Sequence, residues 1–327
     1  MSVQRIAKLA GVSVATVSRV LNDLPSVKAQ NKEKVLAAIA ALNYQPNLLA
    51  RQLRTARTGM LLVMVSNIAN PFCAAVVKGV EKEAEKNGYR ILLCNTESDF
   101  ARSRSCLQLL SGKMVDGVIT MDAVSELPEL QKIIGAFPWV QCAEYDPESS
   151  VFSVSIDDTA AAEFVIDKLV ESGKKRIALI NHDLAYQYSQ HREQGYLNRL
   201  AHHGLSYRTI VYADTLSYLS GKKAALSLLK NAERPDAIFA ISDVLAAGAV
   251  NAVTESGFSI PQDIALIGFD GVDISQITVP PLTTIQQPNE DIGRKAVSLL
   301  LSQIESDNAL DVVHYLLPWQ FIQRQSS

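Results

Sequence analysis

From residue 60 onward the chain alternates short apolar runs with longer amphipathic stretches, and this alternation restricts the possible folds more than any other feature. The runs at 60–65 (MLLVMV), 89–95 (YRILLCN), 117–121 (GVITM) and 137–144 (FPWVQCAE) form one series, separated by helices such as 74–87 and 101–113. After Ser155-Ile156-Asp157-Asp158 a second series begins, with RIALIN (176–181), TIVYAD (209–214), DAIFAI (236–241) and IALIGF (264–269). Strands that alternate with helices form parallel sheets with right-handed crossovers. Two series of similar size imply two doubly wound lobes. Stretches such as 293–304, with Ala296, Leu299, Leu300 and Ile304, read as core helices, and the tail YLLPWQFIQR as a strand pair.

The first 58 residues follow another rule. VQRIAKLAGVSVATVSRVLN (3–22) reads as two short helices joined at Gly11, which tolerates a backbone that other residues avoid. Ile6, Ala7 and Ala10 share one face of the first helix, and Ser13 suits the cap of the second. There Val17, Val20 and Leu21 face inward, while Ala15, Ser18, Arg19 and Asn22 recur outward at helical spacing. Small and polar groups around one arginine suit a helix pressed into a major groove, but the same pattern fits an ordinary amphipathic hairpin. KEKVLAAIAAL (32–42) supplies a third helix, with apolar positions 35, 36, 39 and 42 closing a small core.

AGVSVATVSRVLN followed by LNYQPNLLARQL closely resembles the DNA-binding headpiece of the LacI/GalR family of bacterial transcription regulators, and NPF, IDD, SDVLAAG, IGFD and PPLTTIQQP continue in family order to near the C-terminus. The resemblance implies an N-terminal all-α helix-turn-helix headpiece (1–58) with a hinge helix at about 46–54. It also implies an α/β periplasmic-binding-protein-like body (59–327) of two doubly wound parallel-sheet lobes, for effector binding and dimerisation. The chain of such a body crosses between lobes three times, here near Ile156, Gln287 and Pro318. Carried over by position, Val14, Ala15, Thr16, Ser18, Arg19 and Asn22 meet operator DNA from the second helix, and Tyr44, Asn47, Ala50 and Leu53 from the hinge. About seven hinge residues are too few to hold a helix alone in water. Lys28 departs from the Ser or Thr cap usual in the family.

Ligands of doubly wound sheets bind beyond the carboxyl ends of strands. Asn70-Pro71-Phe72, Asp157, Asp243 and Asp270 fall at such ends. An acid there either accepts neighbouring hydroxyls of a ligand or caps the next helix. Asp243 is assigned to the cap and Asp270 to the ligand, the latter from the resemblance. The resemblance also places Phe72, Cys73, Arg192, Ser242 and Gln287 in the effector cleft. Cys73, Thr215 and Ser242 depart from frequent family residues, and Tyr186, Tyr188 and Tyr218 stand by to compensate. The effector so implied is a nucleoside or a monosaccharide.

Residues 1–58 hold nine Lys or Arg against Asp23 and Glu33, net +7, whereas the remainder holds 22 basic against 32 acidic groups, net −10. A basic module on an acidic body fits a phosphate-binding head that its own body does not compete for. With 48% hydrophobic and 20% charged residues the chain is ordinary for a globular protein, and no run approaches a membrane span. Cys73, Cys94, Cys106 and Cys142 form no CxxC pair and His182, His191, His202 and His203 no metal-ligand spacing. No Walker A, GxGxxG, GxSxG or HExxH occurs. The expectation is a cytoplasmic, homodimeric repressor on pseudo-palindromic double-stranded operator DNA, with no cofactor, metal site or catalytic residue. A solute-binding protein and a sugar- or nucleoside-processing enzyme are the competing classes. The segment 3–22 does not read as a signal peptide, and no nucleophile–base pair is evident.

Overall fold

The computed structural model describes residues 3–21, 27–43, 57–121, 127–144, 149–306, 311 and 313–327. The chain separates into two compact units, Met1–Thr58 and Gly59–Ser327.

In the first unit α1 (Val3–Ala10), α2 (Val14–Leu21) and α3 (Ala29–Ala41) enclose Ile6, Ala7, Ala10, Val17, Val20, Val35 and Ala38. Gly11 takes φ +63° and lets Val12 N donate to Ala7 O at 3.1 Å, closing α1. Ser13 Oγ accepts from Thr16 N at 3.1 Å and caps α2. Lys28 occupies the cap position of α3 without a side-chain bond. One expectation fails: Leu36 is 50% exposed, because the inward stripe of α3 runs through Val35, Ala38, Ile39 and Leu42.

The second unit holds two six-stranded sheets. The first has the order β11-β5-β4-β3-β1-β2 and is parallel throughout. Its strands are β1 (Met60–Val65), β2 (Arg90–Asn95), β3 (Gly117–Met121), β4 (Trp139–Cys142), β5 (Phe152–Ser155) and β11 (His314–Leu316). The central β1 pairs Val63 with both Leu93 and Ile119, and from Leu61 onward it is buried. Around this sheet lie α4 (Pro71–Lys86), α5 (Phe100–Ser111), α6 (Leu127–Ile134) and the late helix α12 (Asn289–Glu305).

The second sheet has the order β12-β10-β9-β8-β6-β7. Its strands are β6 (Ile177–Asn181), β7 (Thr209–Tyr212), β8 (Ala237–Ala240), β9 (Ala265–Asp270), β10 (Thr283–Gln286) and the antiparallel edge strand β12 (Gln320–Ile322). Here belong α7 (Asp158–Glu171), α8 (Gln187–His202), α9 (Tyr218–Leu229), α10 (Asp243–Glu255) and the short α11 (Ile274–Ile277). The chain therefore passes between lobes after β5, after β10 and between β11 and β12. The tail strands do not pair with each other: each closes an edge of a different sheet, His314↔Ser153 in one and Ile285↔Phe321 in the other.

Candidate functional site

Two surfaces carry the residues singled out by sequence. On the first unit, α2 presents Ala15 and Arg19 fully outward and Val14 at 47% exposure, with Thr16 and Ser18 half-buried beside them. Its first turn holds no acid. The Thr16 hydroxyl lies 2.9 Å from Ser13 Oγ, so it shares the cap. This is a small apolar shelf with one long cation, shaped to approach a flat groove floor. Asn22, Tyr44, Asn47, Ala50 and Leu53 lie outside the described residues, as does the hinge at 46–54.

On the second unit, the carboxyl ends of strands from both sheets line one cavity of about 500 Å³, counting the part open to solvent. The first lobe supplies Asn70, Phe72 and Cys73 at the start of α4 and Glu144 just past β4. The second supplies Tyr186 at the cap of α8, Tyr188 and Arg192 on α8, Ser242 after β8 and Asp270 ending β9. Asn70 Oδ1 accepts from Phe72 N at 3.0 Å, a cap that fixes the aromatic ring at the cavity wall.

Arg192 is the fixed point of the second lobe. Its Nε donates to Asp158 Oδ1 at 2.8 Å and its Nη1 to the Ile241 carbonyl at 2.6 Å. Its Cζ lies 3.6 Å from the Phe269 ring centroid, and Nη1 stands 3.8 Å from Asp270 Oδ1. A buried guanidinium held on three sides cannot swing away, which leaves it pre-organised for a hydroxyl or ring oxygen.

Asp270 has φ +105°, a backbone region that side chains other than glycine rarely adopt, and its carboxylate accepts from Gln287 Nε2 at 2.9 Å. Gln287 thus lies behind Asp270 and is not among the cavity-lining residues. Burial pushes the Asp270 carboxyl up to about 7, against the lowering pull of Arg192 and Gln287.

Asp243 does not cap its helix. Ser242 Oγ does, accepting from Leu245 N at 3.2 Å, while also lining the cavity. Asp243 instead turns inward, accepting from Thr284 Oγ1 at 2.6 Å and Val272 N at 2.9 Å, and so braces the turn that follows Asp270. Asp157 is the cap of α7, accepting from Ala160 N. Its neighbour Asp158 is the buried partner of Arg192.

Sequence patterning singles out neither Asp158 nor Glu144. The second acid of IDD sits one helical position past the cap, where an inward side chain can follow an outward one. Glu144 ends an apolar strand run, the edge at which such folds bind ligands. It is 3% exposed, and its Oε2 accepts from Gln187 N at 2.9 Å across the lobes, with Tyr188 N 3.5 Å from Oε1. Burial outweighs those amides and pushes its carboxyl up to about 8.

An outer chamber shares Ser66, Asn70, Tyr186, Tyr188 and Leu216 with the inner one, and adds Glu97, Asp183, Asp214 and Thr215. Tyr186 and Tyr188 line both chambers. Tyr218 is 39% exposed and lines neither chamber. Among the described residues no cluster of His, Cys, Asp or Glu could hold a metal ion, no cysteine is in a disulfide, and no helix is long and apolar enough to cross a membrane.

Residues 2–47 match the family described as bacterial regulatory proteins, lacI family, and residues 166–327 match the periplasmic binding protein-like domain. A ribose operon repressor from Halalkalibacterium halodurans is 35% identical over 326 residues, covering all of this chain and 97% of that protein. A crystal structure of an uncharacterized protein from Actinobacillus succinogenes is 78% identical, with TM-score 0.81, covering 83% of this chain and 100% of that one. The lac repressor dimer bound to operator and an anti-inducer is 26% identical, with TM-score 0.90 over 100% of this chain and 98% of that one.

Proposed function

The chain belongs to the lacI family of bacterial regulatory proteins, and from that premise we propose that residues 1–58 hold operator DNA while residues 59–327 bind a small hydroxylated effector and form the dimer. It is a DNA-binding transcription repressor under allosteric control. The observation that carries the effector reading is the cleft itself, where an immobilised Arg192 stands 3.8 Å from Asp270 beside Phe72. A carboxylate and a guanidinium side by side can take the acceptor and donor sides of neighbouring hydroxyls, while an aromatic ring covers an apolar ligand face. A monosaccharide or a nucleoside meets that description, and the relative named for ribose supports the sugar.

On the first unit, Arg19 with Val14 and Ala15 reads bases, and Ser18 and Thr16 seat the helix. Asn22 and the hinge residues Tyr44, Asn47, Ala50 and Leu53, outside the described residues, take the remaining DNA contacts by their match to the family. Leu53 would wedge between base pairs only when two hinges meet on one operator, so the dimeric body controls the DNA contact. We assign the chain no catalytic role, in keeping with relatives named as regulators, and place it in the cytoplasm with its operator.

A matched pair of variants tests the division. Against operator DNA selected from random duplexes, Arg19→Ala lowers affinity about ten- to hundred-fold, the worth of a bidentate arginine–guanine contact at roughly 1–3 kcal/mol. Its effector binding stays unchanged. Asp270→Ala does the reverse: calorimetry shows effector affinity falling at least about tenfold, as expected when donors lose a charged partner, while operator binding persists. Wild-type operator affinity in the first variant, or wild-type effector affinity in the second, removes the corresponding assignment.

A further inference from the structure

The charges lining the effector cleft do not balance. Among the described residues of the inner chamber the acidic side chains are Glu144 and Asp270, and the single cation is Arg192. That cation is already committed, with Nε on Asp158 at 2.8 Å and Nη1 on the Ile241 carbonyl at 2.6 Å. The outer chamber adds Glu97, Asp183 and Asp214, and among the described residues neither lysine nor arginine lines it. Two of these acids have outward partners, Arg102 at 2.7 Å from Glu97 and Lys223 at 2.9 Å from Asp214. Among the described residues Glu144 has no ion pair of that kind: its hydrogen-bond partners are the amides of Gln187 and Tyr188.

Those amides are two of the free donors at the start of α8, a 16-residue helix whose cap residue Tyr186 makes no side-chain cap bond. They orient the carboxylate and occupy at most two of its roughly four lone-pair positions. The rest remain for whatever enters the chamber. A buried carboxylate that holds no ion pair is costly, so Glu144 favours its protonated form in the effector-free cleft; an incoming positive group favours the ionised form, whereas an incoming anion disfavours it.

Resting on the reading of this cleft as the effector site, we infer that Glu144 makes it selective for an effector bearing a basic amino group on a hydroxylated ring, and closes it to phosphorylated ones. Asp270 and Arg192 take the hydroxyls from the second lobe. Glu144 takes the ammonium from the first, so the ligand is gripped by both lobes at once. A protein in which Glu144 served only to cap α8 would show no such charge preference.

The test is calorimetry of the full chain with matched ligand series: D-glucose, D-ribose and adenosine as parents, each with its amino-deoxy isomers and its phosphate. In the series whose parent binds, the best amino analogue binds at least about tenfold tighter, and the phosphate at least about tenfold weaker, one factor of ten being about 1.4 kcal/mol. Glu144→Gln keeps an oxygen for the α8 amides, so the ratio of amino-analogue to parent affinity, measured in the variant itself, falls to about one. Operator binding of that variant reports that it is folded, and the phosphate arm on the unaltered protein needs no variant. An amino analogue no tighter than its parent, a phosphate that binds as well, or a preference that survives Glu144→Gln overturns the proposal. Parents that bind while the charge preference is absent overturn only the role of Glu144. Failure of every ligand in all three series, with operator binding intact, overturns the hydroxylated-effector reading together with it.

Discussion

Residue by residue, the cleft is organised around acids that water no longer reaches. Glu144, Asp158, Asp243 and Asp270 are all at most 4% exposed, and burial raises the carboxyl of each. Asp243 is raised well above its ordinary value by burial, and the charge of Asp270 adds to that. The groups facing Glu144 are Asp158, Arg192 and Tyr188, and those facing Asp270 are Arg192, Gln287 and Asp158. In the unfolded chain Glu144 and Asp270 return to ordinary values of 4.5 and 3.8, so the folded state keeps protons that the unfolded state has already released. Their contribution is complete below those ordinary values and is lost as pH rises through about 7 for Asp270 and about 8 for Glu144. His191 has the opposite sign, being held below its ordinary 6.5 by burial, so its effect is spent below neutrality. Scanning calorimetry of the effector-free protein should therefore show Tm falling between about pH 7 and 9, with a shallower fall in Glu144→Gln. A flat or rising Tm in that window would contradict the burial of these two acids as ionisable groups.

Pairs of helices hold the cleft walls in place by backbone contact. A Cβ on Gly79 of α4 would lie 2.0 Å from Glu290 O, and one on Gly293 of α12 would lie 2.2 Å from Val76 O. The same arrangement joins α9 to α10, where Gly221 would meet Leu245 O at 2.2 Å and Gly248 would meet Tyr218 O at 2.1 Å. Glycine is needed here for close approach, since the obstructing atoms are backbone and cannot rotate aside. The α4–α12 pair matters for the site because α4 carries Phe72 and Cys73 at its first turn. Gly293→Ala gains up to about 1 kcal/mol of helix propensity. It must nonetheless push the two helices apart, and overpacking of that kind costs about 1–3 kcal/mol or more. The expected net effect is a lower denaturation midpoint in urea and a weaker effector response. An unchanged midpoint would mean that the pair tolerates separation.

The whole molecule contains two cooperative systems of different size. The first unit rests on one small core of short helices, the marginal end of what an isolated domain can stabilise. In the second, one continuous core runs from Leu61 and Val63 of the first sheet to Phe239 and Phe269 of the second. Three chain crossings tie the lobes into that core, so they should unfold together although they can rock about the cleft. Calorimetry of the full chain should resolve a small transition and a large one. A ligand at a hundred times its dissociation constant adds about 2.7 kcal/mol to whichever unit binds it. An effector should thus move the large transition and nonspecific duplex DNA the small one. An effector that shifts only the small transition would reverse the assignment of sites.

Much of this was legible in the chain before any coordinates. Strand runs and helix stripes report their own periodicity, so α2, the parallel sheets and the two-lobed plan can be read locally, whereas the assignment of Arg192 and Asp270 to the cleft rests on the resemblance to the family. Partnerships over long sequence separations could not. Periodicity marks an acid after a strand but not the direction in which it turns: Asp243 braces Val272 and Thr284, 29 and 41 residues away, and Ser242 caps the helix in its place. Leu36 reads as apolar and points outward, and the two tail strands join sheets whose other members lie far back in the chain. Glu144 shows the same limit most clearly, because its amide partners begin 43 residues later on the opposite lobe. Local propensity is a property of neighbours along the chain, whereas burial of a charge is decided by groups that only the folded lobes bring together.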